Sequence, residues 1–192
     1  MRFSSYTMTL LAILSAIPGA ASAALPVQVT TLEKMYREAE WIGRVTIVKA
    51  ELVSAVGQRC GVRYQARVDD TIKGGNVFVV EFVGPRLEML GDYLIFLRSI
   101  PGDQGVCEDL VPKAYLLQHG AISLRSPYSV LEPEKIPPPG TGVVAVFSCQ
   151  YIQLPKPDLV CNELPSVPGD NRRGWVWLER VLGYFRKLAL AR

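Results

Sequence analysis

The most reactive side chains of this sequence are its four cysteines, Cys60, Cys107, Cys149 and Cys161. In an oxidising compartment an even number of cysteines predicts disulfides, and four cysteines allow three pairings. We favour Cys60–Cys107 and Cys149–Cys161 because the second pair brackets an apparent hairpin. In the chain-entropy model the two closed loops would add about 4 and about 3 kcal/mol to stability. Zinc is disfavoured because no pair has CxxC spacing and the chain contains a single histidine.

That histidine, His119, is the one side chain that could serve as a general base near neutral pH. A Ser–His–Asp triad would depend on it, whereas its QHG context predicts a histidine in a turn. Asp69 and Asp70 are adjacent, so on a strand their side chains would point to opposite faces and could not act as a pair. The sequence also has no GxSxG, P-loop or dinucleotide-binding motif. We therefore assign no catalytic residue, no metal ligand and no cofactor.

The first 23 residues have the layout of a secretory signal peptide. Arg2 supplies the positive start, an apolar run comes next, and Ala21-Ser22-Ala23 offers small residues for cleavage. A retained membrane anchor is disfavoured because the run is short for a bilayer core of about 30 Å and Pro18 interrupts it. We predict a signal peptide at residues 1–23, a mature chain that begins near Ala24, and a periplasmic or extracellular location.

Charge is unevenly distributed along the chain. Residues 172–192 contain six basic residues and one acid, Glu179, for a net charge of +5. The whole chain carries +3, so residues 24–171 carry −3 once Arg2 of the predicted signal is set aside. Proteins that bind single-stranded nucleic acid use a basic groove with exposed aromatic side chains. The acidic body therefore predicts no nucleic-acid partner.

Residues 30–42 predict a short N-terminal helix. Thr30 precedes Glu33 by three residues, the spacing of a capping box, and Gly43 ends the segment. One face of this helix is apolar and contains Leu32, Met35, Tyr36 and Ala39.

Six strand-like runs come after this helix, at residues 44–53, 62–68, 76–83, 93–97, 114–118 and 121–124. Residues 62–68 alternate between apolar and polar, which predicts one buried and one solvated face. The buried face would contain Val62, Tyr64, Ala66 and Val68. Residues 76–83 are almost continuously apolar, which predicts a strand covered on both sides. Short strands joined by short turns favour a small barrel or a sandwich.

The last third of the chain is organised differently. Residues 133–142 are rich in proline and predict a stiff connector after a barrel domain that spans residues 24–132. Residues 143–171 predict a hairpin closed by the Cys149–Cys161 disulfide.

Residues 172–192 predict a basic amphipathic helix. Its apolar face would contain Trp175, Leu178, Leu182, Phe185 and Leu188. Such a helix can lie on an anionic membrane, dock into a partner protein or pack on its own barrel, and all three alternatives stay open. The residues predicted to contact a membrane or a partner are Trp175, Trp177, Arg180, Phe185, Arg186 and Lys187.

Residues 38–98 resemble the OB-like barrel of bacterial secreted proteins related to netrin-like modules and tissue inhibitors of metalloproteinases. The matching pieces are Ala39-Glu40 with Gly43-Arg44-Val45, Tyr64 through Lys73-Gly74, and Gly91-Asp92-Tyr93-Leu94-Ile95-Phe96. The resemblance implies a mainly β fold, a small OB-like antiparallel barrel, to which the N-terminal helix and the C-terminal amphipathic helix are added. The animal inhibitors chelate the protease zinc with an N-terminal cysteine. This mature chain would begin at Ala24 and has no cysteine before Cys60, so that mechanism is not carried over.

In an OB-like barrel, Arg63, Gln65 and Arg67 would stand outside the second strand, near the surface that such barrels use for ligands. The alternative is an ordinary solvated face. We therefore expect an exported, non-enzymatic binding or interaction module whose partner is a protein or an anionic membrane surface. The alternatives are an envelope hydrolase with an unrecognised site and a structural protein that assembles on a membrane surface.

Overall fold

The computed structural model describes residues 28–55, 57–99, 107, 112–126, 142–163 and 173–191. The predicted signal peptide and nearly all of the proline-rich connector lie outside these residues. The elements, in chain order, are β1 (Thr30–Thr31), α1 (Leu32–Glu38), β2 (Trp41–Ala55), β3 (Gln58–Lys73), β4 (Val79–Gly84), β5 (Asp92–Ser99), β6 (Ala114–Arg125), β7 (Val144–Phe147), β8 (Ile152–Gln153), β9 (Asn162–Glu163), β10 (Gly174–Trp177) and α2 (Leu178–Leu190).

Strands β2 to β6 form a closed barrel in the order β4-β3-β2-β5-β6. Neighbours in this order are antiparallel, and a parallel bridge between Val83 and Tyr115 closes the barrel. The predicted fold class, a mainly β OB-like barrel with a short N-terminal and a C-terminal helix, is confirmed. The alternation of β3 predicts its packing, since Tyr64 and Ala66 are fully buried inside the barrel and Val62 and Val68 pack against them.

The connection between β4 and β5 packs one side chain against the barrel interior. Leu87 packs into the barrel interior, where the Tyr64 hydroxyl accepts a hydrogen bond from Leu87 N–H and donates one to Pro85 O. The Tyr93 hydroxyl accepts a hydrogen bond from Glu88 N–H. Two interior tyrosines thus fix a connection that has no regular secondary structure.

A second core covers the outside of the barrel. Leu94 and Phe96 of β5 point outward and belong to a core formed with both helices and with strands β7 and β10, which extend the sheet in the order β7-β10-β9. Since Tyr93, Ile95 and Leu97 point inward, β5 contributes to both cores. Every residue from 93 to 97 is buried.

Both predicted disulfides form. Cys60 bonds to Cys107 and Cys149 bonds to Cys161, with Cα atoms 5.6 and 6.5 Å apart. Strand β10 passes directly beneath the second disulfide at Gly174, where a side chain would collide with the Cys161 sulfur. Two disulfides are typical of an oxidising compartment outside the cytoplasm.

Helix α1 is shorter than predicted. It begins at Leu32 and is capped by Thr31, whose hydroxyl accepts a hydrogen bond from Lys34 N–H at 3.0 Å. The predicted Thr30 cap is wrong by one residue, because the helix begins at Leu32 and Thr31 directly precedes it. Glu33 makes no capping box and forms an ion pair with Arg37 at 2.7 Å.

Two predictions about strands are wrong. The runs at 114–118 and 121–124 belong to one strand, β6, in which His119 adopts a positive φ of 59° and the register with β5 shifts between the two runs. Strands β7 and β9, the described strands of the hairpin predicted at residues 143–171, do not pair with each other, because β10 lies between them and pairs with each. The disulfide therefore joins the chain just after β7 to the residue just before β9.

The C-terminal segment is not a single helix. Residues 174–177 form β10, and α2 begins only at Leu178. Trp175 and Trp177 therefore lie on a strand, and the helical face predicted for residues 172–192 does not include them.

Candidate functional site

The outer side of β3 and β4 contains the residues predicted to bind a ligand. Arg63, Gln65 and Arg67 point outward and lie opposite Val83, Glu81 and Val79 of β4. We call the surface formed by residues 63, 65 and 67 of β3 together with residues 77–79 and 81 the β3–β4 face. The structure thus brings the three predicted side chains into one row beside β4.

The arginines of this face are paired with acidic side chains. Arg63 contacts Glu51 at 2.9 Å, and Lys49 lies 3.5 Å from the same carboxylate. The hydrogen bond from Arg63, aided by the positive charge of Lys49, lowers the pKa of Glu51. Arg67 contacts Asp69 at 3.2 Å. Exposed pairs of this kind contribute about 0–1 kcal/mol, but they offset the charge that an anionic ligand would need.

Hydroxyl contacts extend the Arg67 pair into a small polar network. Thr46 donates to Asp92 at 2.7 Å, lies 3.0 Å from Asp69, and accepts from Arg67 at 3.3 Å. The network spans β2, β3 and the start of β5. It fixes the position of Arg67 next to Val79.

An exposed apolar tip borders this polar network. Phe78 is 91% exposed, and its neighbours Val77 and Val79 are 42% and 49% exposed. Only Phe82 and Val83 of β4 are buried. The prediction that residues 76–83 are covered on both sides is therefore wrong. The barrel ends near Val80, so the first apolar residues of the run extend beyond the barrel interior.

The backbone of β4 is also open at this tip. Val68 N–H donates to Phe78 O, and the groups that face a partner strand alternate along an antiparallel pair. The N–H and C=O groups of Val79 and Glu81 therefore point away from β3. In the described ranges, β4 pairs with β6 at Val83 alone.

The apolar stripe of α2 packs against the protein itself. Leu178, Val181, Tyr184 and Phe185 are buried. The Phe185 ring stacks on Tyr36 with a centroid distance of 5.0 Å and meets Phe96 edge-on at 5.9 Å. Of the residues predicted to contact a membrane or partner, Phe185 is therefore part of the core.

The other predicted contact residues lie in two separate places. Arg180 and Arg186 are exposed on α2, and Lys187 forms an ion pair with Asp158 at 2.8 Å. Trp175 and Trp177 are half-buried on β10, where their rings meet at 5.5 Å in an edge-to-face arrangement. The tryptophans and the basic residues thus lie on different elements, β10 and α2.

Residues of the motifs on which the resemblance rests hold neighbouring elements together. Lys73 donates to the carbonyl of Tyr36 at 2.7 Å and to that of Ala39, and so caps the end of α1. The Trp41 ring covers Gly74, which has a φ of 95°, and its indole N–H donates to Gly75 O at 3.0 Å. These residues fix the corner between α1, β2 and β3.

His119 is not part of a catalytic arrangement in the described residues. Its ring stacks on Tyr151 at 5.2 Å, and its Nε2 atom is buried without a hydrogen-bond partner there. Across those same ranges, no three His, Cys, Asp or Glu residues are placed to hold a metal ion. No helix found in them is both long and apolar enough to cross a membrane.

The outward direction of the polar side chains of β3 could be predicted from the alternation of apolar and polar residues. The exposure of the apolar residues at the start of β4 could not. The signal for the tip is a run of apolar residues, which is shared with buried strands. No family model, no curated protein and no solved structure matches this chain.

Proposed function

We propose that this protein is an exported, disulfide-stapled binding module that binds a protein partner through the β3–β4 face and performs no catalysis. Export is supported by the signal-like layout of residues 1–23 and by the two disulfides. The observation that carries the proposal is Phe78, which is almost fully exposed between two further exposed apolar side chains.

An exposed apolar cluster of this kind favours a partner that buries it. Complete burial of a Phe or Val side chain is worth about 1.5–3 kcal/mol, so the tip could supply a substantial part of a binding free energy. The neighbouring Arg63 and Arg67 already have acidic partners. This balance of charge favours a protein partner over nucleic acid.

Strand addition is the mode of binding that best fits the tip. The outward N–H and C=O groups of Val79 and Glu81 could pair with an extended segment of the partner, while alternate side chains contact Phe78 and its neighbours. Main-chain hydrogen bonds would supply affinity and the apolar side chains would supply specificity.

A distant relationship to the netrin-like modules is part of this proposal. It is supported by the closed five-stranded barrel and by the motif residues Lys73 and Gly74, which hold the corner beside α1. A mature chain without an N-terminal cysteine would not inhibit a metalloproteinase by chelating its zinc.

Photo-crosslinking from position 78 tests the proposal. A photoreactive phenylalanine analogue at Phe78, in the cells that produce the protein, is expected to give one discrete crosslinked partner. The matched control is Leu190, which is 87% exposed but lies at the end of α2. Absence of any crosslinked product at 78, or the same product from both positions, would contradict the proposal.

A second candidate function is contact with an anionic membrane through α2. The observation that favours it is that Arg180 and Arg186 project into solvent, and neither has an ion-pair partner among the described residues. Each basic residue near an anionic surface adds about 1 kcal/mol. The double variant Arg180→Ala/Arg186→Ala should then lose low-salt sedimentation with phosphatidylglycerol vesicles, and a wild-type protein that never sediments would reject this candidate.

A further inference from the structure

A cleft of about 310 Å³ lies where the sheet leaves the barrel, away from the β3–β4 face, and its size suits a small ligand. Its position results from the strand register. Tyr93 of β5 lies opposite Ser123 of β6, Ser123 lies opposite Val146 of β7, and Val146 lies opposite Trp175 of β10. Directly opposite residues share a face of the sheet, so the side that lines the barrel interior at Tyr93 continues outward as the floor of this cleft.

The floor of the cleft is built from small side chains. Ala121, Ser123 and Val146 line it, and Ser148 comes just after the end of β7. The hydroxyls of Ser123 and Ser148 have no hydrogen-bond partner among the described residues. Two hydroxyl groups, each able to donate and accept, are thus available to a ligand.

One wall of the cleft presents a donor and an acceptor together. Arg125 Nη2 lies 2.6 Å from Glu88 Oε2, and both side chains line the cleft. Since the two charges offset each other, this wall does not select strongly for an anion. A guanidinium beside a carboxylate can instead donate to one hydroxyl and accept from the next, which matches two adjacent hydroxyls of a sugar ring.

An aromatic ring lies beside the cleft, next to one of its lining residues. Trp175 is half-buried and stands next to Val146 on the same face of the sheet. A tryptophan offers a large, rigid apolar surface at low entropic cost, against which the C–H face of a sugar ring can pack. Trp177 packs edge-on against Trp175 and supports its ring.

We propose that this cleft binds a neutral saccharide. The ring of the sugar lies against Trp175, two adjacent hydroxyls meet the Arg125–Glu88 pair, and the hydroxyls of Ser123 and Ser148 contact the remaining polar groups. The cleft volume lies at the lower end of the range for small-molecule sites, so it admits one or two sugar rings.

The proposal is tested by titrating the full mature protein with neutral tetrasaccharides of glucose and of N-acetylglucosamine. Two-dimensional NMR should show saturable shifts of the Trp175 indole N–H at millimolar concentrations, with weaker effects at Trp41. Glu88→Gln keeps the shape of the wall and should weaken binding about fivefold, as expected for one lost hydrogen bond. Trp175→Ala should weaken it at least about tenfold.

Matched controls keep the result decisive. Gln65→Ala, on the β3–β4 face, should leave saccharide binding unchanged, and it also separates this site from the proposed protein-binding face. If Trp175→Ala fails to fold, weaker saccharide binding by Glu88→Gln and by Ser148→Ala tests the proposal in its place. Because Arg173 also lines the cleft, inorganic phosphate serves as the competing anionic probe.

Two outcomes would overturn the proposal. The first is that no tetrasaccharide shifts the Trp175 signal. The second is that inorganic phosphate produces the larger shifts and Glu88→Gln strengthens them, because the cleft would then select a negative charge.

Discussion

Strands β4 and β5 are both rich in apolar residues, yet the protein uses them in opposite ways. In β5, residues 93–97 are all buried, because the barrel interior covers one face and the helices cover the other. In β4, only Phe82 and Val83 are fully buried, Val80 is half-buried, and Val79 and Glu81 are exposed. Hydrophobic residues therefore build the core in one strand and, in our proposal, a binding surface in the other.

The difference arises from the elements that pack outside the barrel. Strand β5 is at the centre of the sheet, where α1, α2 and β7 pack onto its outer side. Strand β4 is at the end of the sheet order, and its first residues extend beyond the barrel interior. Apolar residues therefore stabilise the fold in β5, where distant parts of the chain cover them, and stay exposed at the start of β4, where nothing described covers them.

Removing α2 should cause the largest loss of stability, because it uncovers the outer face of β5. A chain that ends after Trp177 would lose four buried side chains and expose the outer face of β5. Since each such side chain contributes about 1.5–3 kcal/mol, the loss would match the whole stability of a typical domain. We expect a chain without cooperative thermal unfolding, measured by circular dichroism. A truncated protein that melts like the full-length protein would show that α2 does not hold β5.

A matched pair of phenylalanines gives the next largest effect. Phe96 of β5 is fully buried and contacts Phe185, whereas Phe78, just before β4, is almost fully exposed. Phe96→Ala should lower the free energy of unfolding by about 3–5 kcal/mol. Phe78→Ala should change it by less than about 0.5 kcal/mol, as is usual for surface positions.

Urea unfolding of both variants measures this difference directly. Phe82→Ala is the control within the β4 region, because Phe82 is fully buried in the barrel and should behave like Phe96. A large loss of stability from Phe78→Ala would mean that the tip has a structural role, and the proposed binding surface would lose its support.

The sequence distinguishes these strands only in part. The alternation of β3 correctly predicts its buried and solvated faces, because period-two patterning is a local property. The continuous apolar runs of β4 and β5 carry no such signal, since burial on the outer face depends on helices far away in the chain. Local patterning therefore predicts coverage on both sides for residues 76–83, whereas residues 93–97 are the ones covered in that way.

The local structure of the C-terminal segment also depends on distant parts of the chain. In GWVW the apolar residues fit a helical period as well as a strand period, and the choice is made by β7 and β9, which pair on either side of β10. The predicted Cys149–Cys161 pairing is correct, but the reason for it is wrong, because β7 and β9 do not form a hairpin.

A smaller effect on stability is expected at alkaline pH, through Tyr93 in the buried strand β5. Burial raises the pKa of Tyr93 in β5, whose hydroxyl accepts from Glu88 N–H. Below about pH 10 the phenol is protonated in both the folded and the unfolded states. As pH rises above that value the unfolded chain releases its proton first, so stability falls.

Comparing wild type with Tyr93→Phe measures this contribution. The variant should lose about 1 kcal/mol near neutral pH through the missing hydrogen bond and should show a shallower decline in stability at alkaline pH. Tyr184 also has a raised pKa through burial and will retain part of the decline. An equal alkaline slope in both proteins would show that Tyr93 makes no contribution to it.

The smallest effect is expected on the polar side of the β3–β4 face. Arg67 is exposed and paired with Asp69, and pairs of this type contribute about 0–1 kcal/mol. Arg67→Ala should therefore change the free energy of unfolding by less than about 0.5 kcal/mol, as Phe78→Ala does. The two variants should differ in partner binding, because burial of Phe78 supplies apolar free energy while Arg67 is already satisfied by Asp69. If crosslinking from position 78 survives Arg67→Ala, the apolar tip determines recognition. If Arg67→Ala abolishes crosslinking while stability is unchanged, the arginine contacts the partner directly, and the contrast between an apolar β4 surface and a passive polar border would be wrong.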